Sequence, residues 1–396
     1  MENRLDPLII GDLNIEVPII QGGMGVRVST SRLAAAVANC GAAGTIASVG
    51  LPPDTDENRA DVPKSSREHL QKEIRKARKL SSGVIGVNIM VALSNYEDIV
   101  RTAAKEKVDY IISGAGLPVS LPEFAGSSSV KLIPLIASAR GAELLLKTWK
   151  RRYNRFPDAF VLEGPLSGGH IAGYSLEELE RLDMNMRGKP LLENALEEVL
   201  SLTARYEKEY GISIPVIAAG GIFDGKDVAK FLRLGAEGVQ IGTRFVATHE
   251  CSAADEFKQL YIDAEEKDLV FIQSPVGMPA KVIKTKFLDG VLRGERKEFN
   301  CNYKCLRTCD PATVQYCIAK ALIDAVEGDI DNAVVLAGTN VSRIKEIVSV
   351  KKMIDGIVSE TLKEFASGIR IPDEGGDKIT TAGDLVSHIN EKIAHK

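Results

Sequence analysis

The chain has 396 residues, with 50 basic and 54 acidic side chains and a formal net charge of −4. Single cores stop growing near ~250–300 residues, so this length requires one large domain with additions or two ordinary ones. The near-neutral balance gives no reason to expect nucleic acid or an anionic membrane as partner, and 44% hydrophobic residues marks a globular chain.

Met1-Glu2-Asn3-Arg4-Leu5-Asp6 is too charged to open an export signal. The apolar run Val84–Leu93 is interrupted by Asn88 and falls far short of the ~20 residues of a membrane span. The expected location is therefore cytoplasmic.

In chain order, short apolar runs recur at Val17–Ile20, Ala43–Ile46, Val84–Val87, Asp109–Ile112, Lys131–Ile136, Ala159–Leu162, Pro215–Ala218 and Gly238–Ile241. Their apolar residues are continuous rather than alternating, which suits a parallel sheet buried on both faces. Helical spacing lies between them, as in Leu33, Val37 and Cys40. Residues 51–70 and 174–212 exceed a simple crossover and read as loops or extra helices. Eight β/α units in about 250 residues predict an α/β fold, a TIM (β/α)8 barrel, in preference to a doubly wound open sheet.

After the eighth run the pattern changes. A helical stretch (Ala253–Glu266), a β-like run (Asp268–Ile272) and the segment Gly277–Ile283 predict a smaller α+β or helical subdomain. Helical periodicity returns over 341–367, and a terminal helix carrying Leu385, Ile389 and Ile393 follows Pro372–Asp377. The expected division is a barrel at 1–250, an appended subdomain at 251–340 and a helical segment at 341–396 packing back on the barrel.

Glycine is the compositional deviation, at 35 residues against a usual ~7%. Many glycines follow predicted strands: Gln21-Gly22-Gly23-Met24-Gly25, Ser113-Gly114-Ala115-Gly116, Ser167-Gly168-Gly169-His170, Ala219-Gly220-Gly221 and Gly242-Thr243-Arg244. In a barrel these meet at the C-terminal face, where active sites are built, with Asn88, Ser138 and Glu163 on the same rim. Tight-turn packing alone explains one glycine pair. Gly220-Gly221 and Gly242-Thr243 together, after strands seven and eight, point to a phosphate site. His170 follows directly after a strand on this face, and its ordinary pKa near ~6.5 suits proton transfer. The bland alternative is a structural histidine.

Four of the six cysteines, Cys301, Cys305, Cys309 and Cys317, fall within 17 residues. Without an export signal, that spacing favours a metal site over disulfides. Four thiolates are enough for a [4Fe–4S] cluster or zinc, and the spacing suits the cluster better. Reduced cysteines on one helix face are the structural alternative.

Ile20–Gly25, Gly86-Val87-Asn88, Ser167–His170, Ala219–Ile222, Gly242–Phe245 and Gly277–Lys281, in this order, resemble the nitronate monooxygenase superfamily. That superfamily includes flavin-dependent enoyl-acyl-carrier-protein reductases, and the resemblance spans residues 8 to about 290. It implies a TIM barrel with a small appended domain, binding FMN without a covalent bond. Gly22, Gly23 and Met24 would then pack against the isoalloxazine, and Asn88 would hydrogen-bond near it. Gly169, Gly220, Gly221, Gly242 and Thr243 would cradle the phosphate, and His170 would be the catalytic acid or base. Ser138, Glu163 and Gly168 complete the expected cofactor-binding set. The cysteine cluster and Gly164-Pro165-Leu166 resemble an iron–sulfur acyl-carrier-protein dehydrogenase/isomerase branch.

The leading expectation is thus an FMN oxidoreductase acting on an acyl thioester carried by acyl carrier protein in fatty acid synthesis. Nitronate oxidation with O2 is a second enzyme reading. A flavin or iron–sulfur redox sensor, or an electron-transfer module, is a third, and an apolar tunnel beside the flavin would count against it.

Overall fold

The eight apolar runs form eight parallel strands: β1 Ile19–Gln21, β2 Gly44–Ala47, β3 Ile85–Met90, β4 Tyr110–Gly114, β5 Lys131–Ile136, β6 Phe160–Glu163, β7 Val216–Ala219 and β8 Gly238–Ile241. The computed structural model describes residues 4–53, 55–182, 191–301 and 303–367. Strands pair in chain order from β2 to β8, and β8 pairs with β1. The ring closes where Ile20 bridges Ala43, with Gln21 N donating to Ala43 O and Ala43 N to Ile19 O, both at 2.9 Å. The fold is a TIM barrel.

Burial on both strand faces explains the continuous apolar runs. Ile20, Tyr110, Ile112, Ile133, Val161 and Ile217 fill the barrel interior, whereas Ile46, Val87, Ile111, Leu162 and Val239 pack outward under the helices. A short hairpin, Leu8–Ile10 paired with Leu13–Ile15, adds Leu8, Ile10 and Ile15 to the interior cluster. It sits at the N-terminal end of the barrel, where a Cβ on Gly238 would come within 2.9 Å of Leu8. The two long intervals hold helices Asp56–Ala60 and Val62–Leu80, and Leu176–Leu182 and Leu191–Tyr210.

Beyond β8 lies a second, antiparallel sheet. Its central strand, β10 Pro279–Ile283, pairs on one edge with β9 Leu269–Gln273. The other edge is shared end to end by β11 Val335–Leu336 and by Gly169–His170 from the loop after β6. The barrel's own loop therefore belongs to the second sheet. Helix Val350–Ser367 then packs against helix Gly225–Arg233, which follows β7, and against helix Ser31–Ala38, which follows β1. It occupies the place of the barrel's eighth outer helix. Gly225 makes the close approach possible: a Cβ there would fall 2.5 Å from Glu360 Cβ. Pro372–Asp377 and the expected terminal helix with Leu385, Ile389 and Ile393 lie outside the described residues. Among the described residues, no helix is long and apolar enough to cross a membrane.

Candidate active site

A cavity of about 730 Å³ opens at the C-terminal ends of the strands. Gly22, Gly23 and Met24 line it after β1, and Asn88 lines it from β3. Glu163, Gly168, Gly169 and His170 enter from β6 and its loop, Gly220 and Gly221 from β7, and Gly242 and Thr243 from β8. Gly23 has a steric reason to be glycine, since a Cβ would lie 2.2 Å from Asn88 Cβ. Gly220 has a conformational one: its φ is +95°, which L side chains rarely adopt.

Ser138 is the exception. It does not line the cavity; its exposed side chain caps helix Ala139–Tyr153, with Oγ accepting from Gly141 N at 3.4 Å. A serine at a strand end followed by helical spacing is also an N-cap signal, and here that role prevails.

His170 is fixed from both sheets. Its backbone is paired opposite Ala280 in β10, and its Nε2 lies 2.8 Å from Ser274 Oγ in the turn between β9 and β10. Ser274 Oγ also accepts from Val276 N at 3.3 Å. Although His170 keeps some surface toward the cavity, burial pushes its pKa down to about 4. At neutral pH the ring is therefore an uncharged base, not the partly protonated group its ordinary pKa implied. Burial likewise pushes the Glu163 carboxyl up to about 8, so a protonated acid faces the cavity near neutrality.

Three polar side-chain atoms of the lining are buried without a partner: Ser48 Oγ, Ser167 Oγ and Gln240 Oε1. Unmade hydrogen bonds cost ~1–3 kcal/mol each, so three such atoms in the lining of one cavity suit a polar ligand. Gln240 and Glu163 lie in one register row on either side of Ala219, whose small side chain leaves the floor open. Arg244 also lines the cavity and stacks 4.5 Å from the Phe223 ring, which Arg343 covers at 4.4 Å. Arg343 pairs with Asp224 and Asp227, whereas Arg244 donates to Phe223 O. Sequence reasoning placed Ser48 and Arg244 at strand ends on the expected rim but gave them no role, and it missed Gln240 and Ser274.

The cavity has an apolar arm that runs into the second sheet and helix Ile318–Glu327, past Val276, Met278, Ile318, Ala319, Leu322 and Leu336. The cysteine loop forms part of the same wall. Cys305 lines the cavity, and its carbonyl accepts from Ser94 N at 3.0 Å. Burial first, then the neighbouring Cys317, Cys301 and Cys309, push the Cys305 thiol up to about 12. The four thiols thus share one neighbourhood. Among the described residues, however, no three His, Cys, Asp or Glu side chains converge so as to hold a metal ion. The expected [4Fe–4S] ligand set of Cys301, Cys305, Cys309 and Cys317 is not assembled in this arrangement.

The model of the nitronate monooxygenase family matches residues 6–109 and 94–360. The chain belongs to the nitronate monooxygenase family. It is an oxidoreductase.

Proteins similar to this chain carry different names. A "(3aS,4S,5R,7aS)-5-hydroxy-7a-methyl-1-oxo-octahydro-1H-indene-4-carboxyl-CoA dehydrogenase" from Mycobacterium tuberculosis is 29% identical over 284 residues, 72% of this chain and 68% of that protein. A "Probable nitronate monooxygenase" from Staphylococcus aureus is 28% identical over 324 residues, 73% of this chain and 80% of that protein. The solved structure of FabK from Thermotoga maritima matches with a TM-score of 0.68 and 29% identity, covering 89% of this chain and 95% of that one.

Proposed function

We propose that this protein is an FMN-dependent oxidoreductase acting on acyl thioesters, with His170 as the acid or base beside the flavin. The observation that carries the reading is the junction of two surfaces in one cavity. A glycine-lined polar mouth meets an apolar arm, and His170 stands among its lining residues. The polar mouth fits FMN: Ser48 Oγ, Ser167 Oγ and Gln240 Oε1 offer unused hydrogen-bonding capacity. Gly22, Gly23 and Met24 would allow close backbone approach to the ring, Asn88 would hydrogen-bond near it, and Gly169, Gly220, Gly221, Gly242 and Thr243 would offer backbone to the phosphate. Arg244 adds positive charge beside that group. The apolar arm suits an acyl chain and counts against a sensor without a substrate. The thioester class is supported by the carboxyl-CoA dehydrogenase named among the relatives.

When bound, FMN supplies hydride transfer to or from the acyl β-carbon. The protein's part is to bind, orient and move the α-proton. His170, uncharged at neutral pH and braced by Ser274 on Nε2, takes that proton or returns it. Glu163, held protonated by burial, would present a hydrogen-bond donor to the substrate from the cavity floor. The wall around Leu322 and Leu336 excludes water from the chain. The arrangement of the four cysteines does not fit a cluster, and no step here runs through one.

The test pairs two assays on purified protein that shows a flavin spectrum. Anaerobic turnover of saturated acyl thioesters with an added electron acceptor, or of trans-2 acyl thioesters with an added reductant, exceeding turnover of nitroalkanes in air, is the expected result. Nitroalkane turnover alone would replace it with the nitronate reading, which the Staphylococcus aureus relative's name favours. Preference for acyl-carrier-protein over CoA thioesters would tie the enzyme to fatty acid synthesis. Protein without flavin would overturn both readings.

A further inference from the structure

Lys281 lies in the middle of β10 and is completely buried, and the flavin chemistry above makes no use of it. Its Nζ donates to Pro165 O at 2.9 Å and to Thr339 Oγ1 at 2.6 Å, and sits 5.3 Å from the centre of the Phe271 ring. Among the described residues no carboxylate pairs with it, and burial displaces its pKa downward to about 7. An amine in such a place lowers stability relative to an apolar side chain of the same volume. Its value lies in where it holds other groups.

Those groups are the loops of the cavity. Three consecutive residues of one segment each bond a different barrel loop. Gly338 N donates to Thr243 Oγ1 at 3.0 Å, after β8. Thr339 N donates to Leu166 O at 3.2 Å, after β6. Asn340 Nδ2 donates to Gly221 O at 2.7 Å, after β7. Lys281 joins this clasp twice, through the Thr339 hydroxyl and through the carbonyl preceding Leu166. Its backbone is also tied to the clasp, since Ala337 N donates to Lys281 O at 3.2 Å. On the strand edge it pairs with Gly169, next to His170.

We propose that Lys281 is a positioning residue: by bonding Pro165 O and Thr339 Oγ1 it locks the 338–340 clasp onto the loops after β6, β7 and β8. It thereby sets the spacing of the glycine cradle and of His170. The proposal rests on the flavin reading, and its test separates the two.

FMN is titrated into apoprotein, and the visible circular dichroism of the bound flavin is recorded, for wild type, Lys281→Met, Thr339→Val and Thr339→Ser. Lys281→Met and Thr339→Val should each weaken FMN binding about tenfold, the worth of one hydrogen bond to a buried charge, and alter the dichroism. Thr339→Ser keeps the acceptor and should behave as wild type. Apoprotein Lys281→Met should melt no lower than wild type, which distinguishes positioning from structural support. Wild-type FMN affinity and dichroism in both Lys281→Met and Thr339→Val would overturn the proposal. If Lys281→Met does not fold, the Thr339 pair decides: equal behaviour of Val and Ser overturns it. A wild type that binds no FMN defeats the flavin reading instead.

Discussion

His170 and Ser274 lie on opposite sides of a chain junction, one in the loop after a barrel strand and the other in a turn of the second sheet, yet Nε2 and Oγ are 2.8 Å apart. The hydrogen bond fixes the ring while its other nitrogen remains for a ligand. His170→Ala should retain FMN and lose about 10²–10⁴-fold in turnover, the usual worth of a positioned general base. Ser274→Ala should lose less, with kcat falling more than KM changes. Steady-state kinetics on an acyl thioester checks both. Unchanged kcat in His170→Ala would remove it from the chemistry.

The two displaced titrations in the cavity act on stability in opposite senses. His170 titrates near 4 in the folded protein against an ordinary 6.5, so its contribution is present above 6.5 and lost as pH falls toward 4. Glu163 titrates near 8 against an ordinary 4.5, so folding grows less favourable as pH rises through that window. Glu163→Gln should match wild-type apoprotein below about pH 4.5 and exceed it increasingly toward pH 8. Urea midpoints at pH 4.5, 6 and 8 measure the difference. A constant offset would place Glu163 in a polar, solvated setting.

Gly23→Ala places a methyl where Asn88 Cβ already stands. The side chain of Asn88 or the β1 loop must shift, at a cost of roughly 1–3 kcal/mol for overpacking. FMN retention through gel filtration should fall while the far-ultraviolet circular dichroism stays that of wild type. Full retention would mean that this contact yields easily.

Ala319 lines the apolar arm from helix Ile318–Glu327. Ala319→Phe should fill the arm and raise KM for long acyl thioesters about tenfold relative to short ones, as a few excluded methylenes would. Equal effects on all chain lengths would take the acyl tail elsewhere.

Iron, sulfide and zinc analysis of anaerobically purified protein addresses the thiols of Cys301, Cys305, Cys309 and Cys317. Burial raises the thiol pKa of Cys305 and of Cys309, which favours their protonated forms in the absence of a cation. The expected outcome from this geometry is substoichiometric metal. About four iron and four sulfide per chain would require the 301–317 loop to rearrange around a cubane.

The barrel was legible because each strand is buried on both faces, which turns chemistry into an uninterrupted apolar run. Leu8–Ile10 and Leu13–Ile15 escaped that reading, since Ile9 and Asn14 are exposed and neither strand is buried on both faces. The rim residues were legible through glycine and strand ends, but Ser138 shows the ambiguity of that signal: the same position serves a helix cap. Lys281 was unreadable as an interior residue because lysine ordinarily marks surface. Ser274 was invisible for a different reason. Its role depends on a sheet that joins residues 104 apart, and no local pattern records such a pairing.

The helix Val350–Ser367 that completes the barrel's outer layer begins 109 positions after β8 ends, at 350 against 241. During synthesis the whole second sheet, the cysteine loop and the 338–340 clasp leave the ribosome before that helix does. Helices Ser31–Ala38 and Gly225–Arg233 must therefore wait with a facing groove uncovered. The order of synthesis is consequently inverted with respect to the architecture: the inserted layer is made before the helix that completes the outer one.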